Sequence, residues 1–264
     1  MKTNKILLNI SNIKDIEKYK KLGITNFLFP LRDYCVGYSD FTFDDIKNIS
    51  GNIYVLINRL LTDEDIDNFE EMHIPNNVKG FIIEDIGMLS YLKSKGYEVI
   101  LFENHLNNNY ETVNIMLRDV DSLVISSDIT LEEINKIIKE STKSLVLNTF
   151  FKPMVMYSRR RLVSNYDRFY GKEFEDTLEI KDETFNKVFD LVENKWGTSV
   201  FNKEFVDYRK ALSDIDDSKI KYYLIDTNFI DYNIVKDVID GKDIENTSEG
   251  FLYTKTFYKV GDKK

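Results

Sequence analysis

Short apolar runs alternate with amphipathic stretches along the chain up to about residue 150. Runs such as KILLNIS at 5–11 and NFLFPL at 26–31 carry their apolar residues almost continuously rather than at every second position. This pattern is typical of parallel strands, which are buried on both faces. Each run is followed by a stretch with apolar residues every three or four positions, which predicts a helix. The repeat therefore indicates strand–helix units joined by right-handed crossovers.

Local signals support the predicted helices. Thr42 and Thr62 each precede a helical stretch with acidic residues in its first turn, so both are predicted to be N-caps. Gly23 stands where the first helix needs a C-cap. Seven strands are predicted in this part of the chain, and KYYLIDTNFI at 221–230 supplies an eighth after a long interval.

Eight such units fit two architectures, a closed (β/α)8 barrel and an open doubly wound sheet. We favour a TIM-barrel-like (β/α)8 parallel barrel, because the units are short and even and no glycine-rich fingerprint opens a helix. Residues 171–215 contain alternating strand-like runs with charged turns and are predicted to form a β-hairpin insertion before the last unit. Residues 246–264 are predicted to form a C-terminal arm, and residues 1–264 a single domain.

Composition narrows the possible chemistry. The 264 residues are 42% hydrophobic and 31% charged, which is ordinary for a globular protein. One cysteine, Cys35, and two histidines leave no basis for a disulfide framework or a metal site, and no cofactor is predicted. The formal net charge of -9 argues against nucleic acid binding over the whole surface. No apolar stretch is long enough for a membrane span or a signal peptide, so we expect a cytoplasmic protein.

Four stretches resemble one known family. They are LVISSDITLEEINKI at 123–137, FKPMVMYSRRR at 151–161, IKDETFNKVFDLVENKWGTSVFNKE at 180–204 and EGFLYTKTFYKV at 249–260. In their order along the chain they resemble segments of the collagenase-like peptidase family, peptidase family U32. The resemblance covers roughly the second half of the chain and implies the same barrel fold.

The resemblance implies a function at the barrel mouth, meaning the carboxyl ends of the strands. Members of the family are peptidases or RNA-modifying enzymes, and many carry a four-cysteine iron–sulfur cluster. Arg161 stands where the first cluster cysteine would lie, so the chemistry of that cluster is not carried over. We therefore expect a peptidase or RNA-modification-related enzyme without a cluster. The alternative is a cluster-free accessory subunit that binds a cysteine-bearing paralogue or a small anionic ligand.

Polar residues at predicted strand ends are the candidate site residues, because barrel enzymes build their sites there. Glu84 and Glu103 are predicted to be catalytic, although Glu84 also fits an ordinary charge at a helix N-terminus. The predicted substrate-binding residues, for a peptide or small anion, are Arg59, Arg159, Arg160, Arg161, Asn58 and Asn148. Asn9 and Asp226 end two further strands.

The run Arg159–Arg161 has three interpretations. It forms a solvated loop, an internal ion-pair centre that meets the acidic residues of the mouth, or an anion clamp that uses the guanidinium fork. Met154 and Met156, just before it, are predicted to plug the barrel mouth. His105 is interpreted as a hydrogen-bonded loop residue and Cys35 as a small buried residue rather than a nucleophile.

Overall fold

The structure is a computed structural model that describes residues 1–103, 107–171, 177–184 and 186–254. Its strands are β1 (Ile6–Asn9), β2 (Asn26–Pro30), β3 (Asn52–Ile57), β4 (Val78–Ile83), β5 (Glu98–Leu101), β6 (Ser122–Val124), β7 (Leu145–Phe151), β8 (Met154–Ser158), β9 (Thr177–Asp182), β10 (Lys187–Asn194), β11 (Gly197–Asn202), β12 (Phe205–Asp207), β13 (Ile220–Asp226) and β14 (Thr247–Ser248). Its α-helices are α1 (Ile16–Lys21), α2 (Phe43–Ile46), α3 (Asp63–Glu70), α4 (Leu89–Ser94), α5 (Tyr110–Met116), α6 (Leu131–Glu140), α7 (Leu162–Tyr170) and α8 (Tyr232–Ile239).

Eight of these strands close into a parallel barrel. Strands β1 to β7 pair in chain order, and β13 pairs with both β1 and β7. The ring confirms the predicted (β/α)8 barrel and rules out the open sheet. Because every barrel strand runs the same way, all their carboxyl ends meet at one mouth.

Strand residues alternate between the inside of the barrel and the surrounding helices. The inner set is a separate apolar cluster of ten buried residues: Leu7, Leu28, Tyr54, Leu56, Ile82, Ile100, Val124, Val146, Tyr222 and Leu224. Residues between them, such as Leu8 and Ile83, pack in the larger core that includes the helices. The double burial explains why the strands carry apolar residues continuously.

The helices begin as predicted at Thr42 and Thr62. Each threonine hydroxyl accepts a hydrogen bond from the N–H of the aspartate three residues later, at 3.2 Å. The aspartate side chain in turn accepts from the threonine N–H. These capping boxes satisfy backbone donors that a helix start leaves without partners, and they confirm both predicted N-caps.

A second, antiparallel sheet of four strands in the order β8-β11-β10-β9 follows β7. The predicted hairpins are present, but the sheet also includes β8, which precedes the predicted insertion at 171–215. Gly197 permits this pairing, since a Cβ there would lie 2.1 Å from the Ser158 carbonyl oxygen. Helix α7 connects β8 to the rest of the sheet.

The last strands return to the barrel. Strand β12 pairs antiparallel with β7, and β14 pairs with β12. Leu252 in the predicted arm is buried, and its carbonyl oxygen accepts the N–H of Leu131 at 2.9 Å. Residues 255–264 of that arm lie outside the described residues. Within the described chain, no helix is long and apolar enough to cross a membrane.

Candidate active site

A cavity of about 240 Å³ lies at the barrel mouth. Its floor consists of the inner barrel residues Leu28, Leu56, Ile82 and Leu224. Phe151–Tyr157, which comprises the end of β7 and most of β8, lines it from the other side and is called the roof below. The polar lining residues at barrel strand ends are Asn9, Glu84, Ser127, Asn148 and Asp226.

Glu84 points into this cavity because of the strand period. Ile82 belongs to the inner cluster and Ile83 to the outer core, so the next residue faces inward again. The Glu84 N–H donates to the Ile57 carbonyl oxygen at 3.0 Å, which continues the ladder one residue past β4. Burial and the nearby charge of Glu103 raise the pKa of the Glu84 carboxyl to about 8. At neutral pH this group is therefore mostly protonated.

Asp226 and Asn9 form the second polar element. They are direct neighbours in the ladder between β13 and β1, each two residues beyond an inner leucine. The Asp226 carboxylate accepts the Asn9 amide N–H2 at 2.9 Å and the Asn228 backbone N–H at 2.9 Å. Burial raises the pKa of Asp226 to about 6, although these two hydrogen bonds oppose the shift. At neutral pH the group is mostly ionised.

Tyr38 adds a hydroxyl donor from the loop after β2. The residue lines the cavity and is partly buried. Burial and the negative charges of Asp226 and Glu84 raise the pKa of its phenol well above the usual value. The phenol therefore keeps its proton across the physiological range and can donate it in a hydrogen bond. Glu84, Asp226 and Tyr38 are thus three ionisable groups in the lining of one cavity.

Glu103 follows β5 but does not line the cavity. The Phe102 side chain points into the barrel, so that of Glu103, the next residue, points away from the barrel interior. Burial raises the pKa of its carboxyl, and among the described residues its Oε2 atom has no hydrogen-bond partner. Of the two residues predicted to be catalytic, the cavity therefore includes only Glu84 in its lining. The neighbouring His105 lies outside the described residues.

The two predicted substrate-binding asparagines have different positions. Asn148 lines the cavity, two residues beyond the inner Val146. Asn58 is buried away from it, where its amide oxygen accepts the Val36 N–H at 2.9 Å and its amide N–H2 donates to the Val36 carbonyl at 3.2 Å. Asn58 thus holds the loop that carries Tyr38.

Arg59 is buried outside the cavity lining, with only 3% of its side chain exposed. Its guanidinium bonds to Asp65 at 2.5 Å and lies 3.9 Å from the centre of the Trp196 ring. Tyr157 of the roof donates to the Trp196 carbonyl at 3.0 Å. Arg59 therefore fixes the tip of the β10–β11 hairpin, Asn194–Gly197, to the barrel.

Arg159, Arg160 and Arg161 are exposed and do not line the cavity. Arg161 lies 3.5 Å from Glu193, whose carboxylate also accepts the N–H groups of Val163 and Ser164 at the start of α7. The charges of Arg59 and Arg159 both act on the phenol of Tyr157 in the roof, so these two arginines lie near the same residue of the mouth. An anion site at the run stays a prediction.

Lys152 is a lining residue that no sequence pattern predicted. It is 5% exposed, forms an ion pair with Asp190, and lies 4.3 Å from the centre of the Phe229 ring. The loop after β2 meets the roof nearby at Gly37, whose φ is +77°. A Cβ at Gly37 would lie 2.6 Å from Met154 Cε. Met154 and Met156 both line the mouth, but Met156 is 44% exposed and so does not plug it as a core residue.

Comparisons with known proteins identify the family. The sequence profile of peptidase family U32 matches residues 39–240. Among curated proteins there is no match. The spore cortex-lytic enzyme SleL from Bacillus megaterium has a similar structure, with 9% identity, coverage of 94% of this chain and 76% of that chain, and a TM-score of 0.45. A chitinase from Chromobacterium violaceum has 9% identity, coverage of 90% and 99%, and a TM-score of 0.40.

The residues present do not fit the iron–sulfur cluster of cysteine-bearing relatives. Cys35, the single cysteine of the sequence, is buried, and burial raises the pKa of its thiol. Arg161, at the position that resembles the first cluster ligand, is exposed beside Glu193. In the described ranges, no three His, Cys, Asp or Glu side chains converge as a metal site would require.

Proposed function

Because the chain belongs to peptidase family U32, we propose that it is a hydrolase that cleaves an amide bond at the barrel mouth. In this proposal Glu84 is the general acid, Asp226 the general base, and the Tyr38 hydroxyl a donor to the substrate carbonyl. One observation carries the proposal. Two carboxyl groups that line the same cavity have pKa values of about 8 and about 6.

The different environments of the two carboxyls explain their different protonation. Burial and the Glu103 charge both oppose ionisation of Glu84. Asp226 accepts two hydrogen bonds that favour its ionised form. Between pH 6 and 8 the site therefore holds one proton donor and one proton acceptor, which is the arrangement acid–base catalysis needs.

The proposed reaction uses these groups in one cycle. Asp226 takes a proton from a water molecule, whose oxygen attacks the carbonyl carbon of the amide. Tyr38 donates a hydrogen bond to the carbonyl oxygen as negative charge develops on it. Glu84 gives its proton to the amide nitrogen as the C–N bond breaks. A carboxylic acid and an amine leave, and a proton returns from Asp226 to Glu84 through solvent.

Cavity size favours a small substrate. Pockets for drug-sized ligands measure roughly 300–1,000 Å³, and the cavity here measures about 240 Å³. The apolar floor and the roof enclose it from two sides. A single residue or end group fits such a space better than a polymer that must pass through.

The test is hydrolysis of a panel of aminoacyl and dipeptidyl anilides by the intact protein across pH 5–9. We expect kcat/KM to peak near pH 7, with an acid limb from Asp226 and a basic limb from Glu84. Glu84→Gln should lower kcat by about 100-fold or more, because one acid–base group contributes about 10²–10⁴. Glu103→Gln is the matched control and should keep most activity at pH 7, since Glu103 does not line the cavity. Its basic limb should move to lower pH, because the Glu103 charge contributes to the raised pKa of Glu84. Full activity in Glu84→Gln would refute the assignment.

A second candidate function, a non-catalytic subunit, is favoured by the outer face of α7. Phe169 is 81% exposed there, and the rings of Tyr166 and Tyr170 lie 4.5 Å apart beside it. Exposed aromatic clusters of this kind occur at protein interfaces. The candidate requires that a cysteine-bearing member of the family co-elutes with this chain in size-exclusion chromatography and that Phe169→Ala weakens the complex. Hydrolysis by the isolated chain would contradict the role of a non-catalytic subunit.

A further inference from the structure

We infer that the cavity at the barrel mouth binds a small organic cation, a primary ammonium group on an apolar body, and discriminates against carboxylates and phosphates of the same size. The inference rests on the proposed function in that it places this group beside the proposed acid and base. It deepens that function by naming the substrate class, an amine-bearing one.

Asn9 carries the argument. The residue is 5% exposed, lines the cavity, and its amide oxygen has no partner among the described residues. Its amide N–H2 donates to Asp226 at 2.9 Å, and the reversed orientation would set two oxygens against each other. The free oxygen is therefore fixed as an acceptor, and a buried acceptor without a donor is costly. A ligand with an N–H donor beside Asp226 would supply the missing hydrogen bond.

The charges around the cavity exclude an anion. Asp226 is mostly ionised near neutral pH, and its carboxylate lies next to the free Asn9 oxygen. Lys152, the cationic residue of the lining, has its charge offset by Asp190, which also lies 3.1 Å from Lys203. The three consecutive arginines stand outside the lining. A carboxylate or phosphate would thus meet the negative charge of Asp226, while the lysine of the lining is already paired.

The remaining walls suit the body of such a ligand. The floor is aliphatic, and Tyr38, Phe102 and Tyr157 present aromatic rings at the mouth. Aromatic faces attract an ammonium group, and the effect grows where water is excluded. A primary ammonium has three N–H donors, enough for the Asn9 oxygen and the Asp226 carboxylate together.

Three matched probes test the inference by isothermal titration calorimetry on the intact protein: phenethylamine, 2-phenylethanol and phenylacetate. We expect phenethylamine to bind at least tenfold more tightly than the alcohol at pH 7, and phenylacetate to bind most weakly. Asp226→Asn should remove most of the amine's advantage while the alcohol keeps its affinity. Asp44→Asn, which removes a remote exposed carboxylate on α2, is the control and should change neither.

A second measurement covers the case in which Asp226→Asn fails to fold. In the unaltered protein, amine affinity should rise several-fold from pH 5 to pH 7 as Asp226 ionises, while alcohol affinity stays flat. The other titratable groups facing the cavity are Glu84, Tyr38, Tyr157 and Lys152, with Glu103 and Asp190 behind them. Glu84 stays mostly protonated over that interval because its pKa is about 8, and the phenols of Tyr38 and Tyr157 stay protonated because their pKa values are raised.

Two results would overturn the inference: equal affinity for all three probes, or tighter binding of phenylacetate. The proposed function fails separately. Amine binding without any Glu84-dependent hydrolysis would leave the cation site standing and refute the hydrolase. Glu84-dependent hydrolysis without a preference for amines would refute the cation site and leave the hydrolase standing.

Discussion

The indole ring of Trp196 lies over the buried guanidinium of Arg59, with 3.9 Å between the guanidinium carbon and the ring centre. The indole N–H also donates to Asp33 at 3.2 Å. These contacts join the tip of an inserted hairpin to the loops that follow two barrel strands. An arginine that the sequence suggested for substrate binding thus lies within a packed contact between the second sheet and the barrel.

The first prediction concerns this contact. Arg59→Lys keeps the charge but loses the planar stack on Trp196 and the fork geometry towards Asp65, so we expect a loss of about 1–2 kcal/mol in unfolding free energy. The single tryptophan reports directly: its fluorescence should shift to the red at temperatures below global unfolding. Arg160→Lys, on the exposed surface, should change neither quantity. An unchanged spectrum and melting curve in Arg59→Lys would show that the hairpin is held by other contacts.

The second prediction separates backbone strain from crowding at the roof. Gly37 and Gly96 have nearly the same left-handed φ, +77° and +80°, but only Gly37 has atoms within reach of an added Cβ. Alanine at either site should cost about 1 kcal/mol from the backbone. Gly37→Ala should lose about 1–2 kcal/mol more, because the methyl group meets Met154 and Phe201. Chemical denaturation of both variants measures the difference, and equal losses would contradict the crowding.

The third prediction is a pH dependence of stability. The pKa of Glu84 is about 8 in the folded chain against a usual 4.5, so the folded state binds more protons between these values. Its contribution to the free energy of unfolding is therefore present below pH 4.5 and is lost as pH rises towards 8. Glu84→Gln removes this loss and should be less sensitive to alkaline pH, by on the order of 3 kcal/mol between pH 5 and 8.5.

Denaturant titrations at the two pH values provide the measurement. Glu64→Gln, an exposed change on α3, is the control and should follow the unaltered protein. Asp226 contributes in the same direction at lower pH in all three proteins, so it cancels in the comparison. Parallel pH profiles of stability for Glu84→Gln and the unaltered chain would mean that the pKa of Glu84 is the same in the folded and unfolded states.

The barrel could be predicted from sequence because its strands are buried on both faces, and such strands carry apolar residues almost continuously. The same period places Asn9, Glu84, Asn148 and Asp226 inside the mouth, each two residues past an inner apolar side chain. Counting in steps of two from the strand interior therefore separates Glu84 from Glu103. Polar residues at strand ends alone predict both glutamates to be catalytic, and they favour Glu103 over Glu84, which also fits a charge at a helix N-terminus.

Other parts of the site depend on contacts between distant segments. Strand β8 is half exposed, and the apolar residues around Val155 do not indicate that this strand pairs with β11. The burial of Arg59 depends on Trp196, and that of Lys152 on Asp190. Tyr38 lies in a loop whose position follows from Asn58. In each case the decisive partner lies far away along the chain, so no local window of sequence contains the signal.

Strand β13 enters the ring only after the whole inserted sheet, yet it pairs with β1 at one side and β7 at the other. During synthesis the barrel therefore stays open until Ile220–Asp226 has left the ribosome, and loop closure over this distance slows its completion. Asp226 arrives on that last strand and meets Asn9 from the first. A nascent chain, or one truncated before β13, thus lacks Asp226. Ligand binding at the mouth would therefore indicate that β13 has paired with β1.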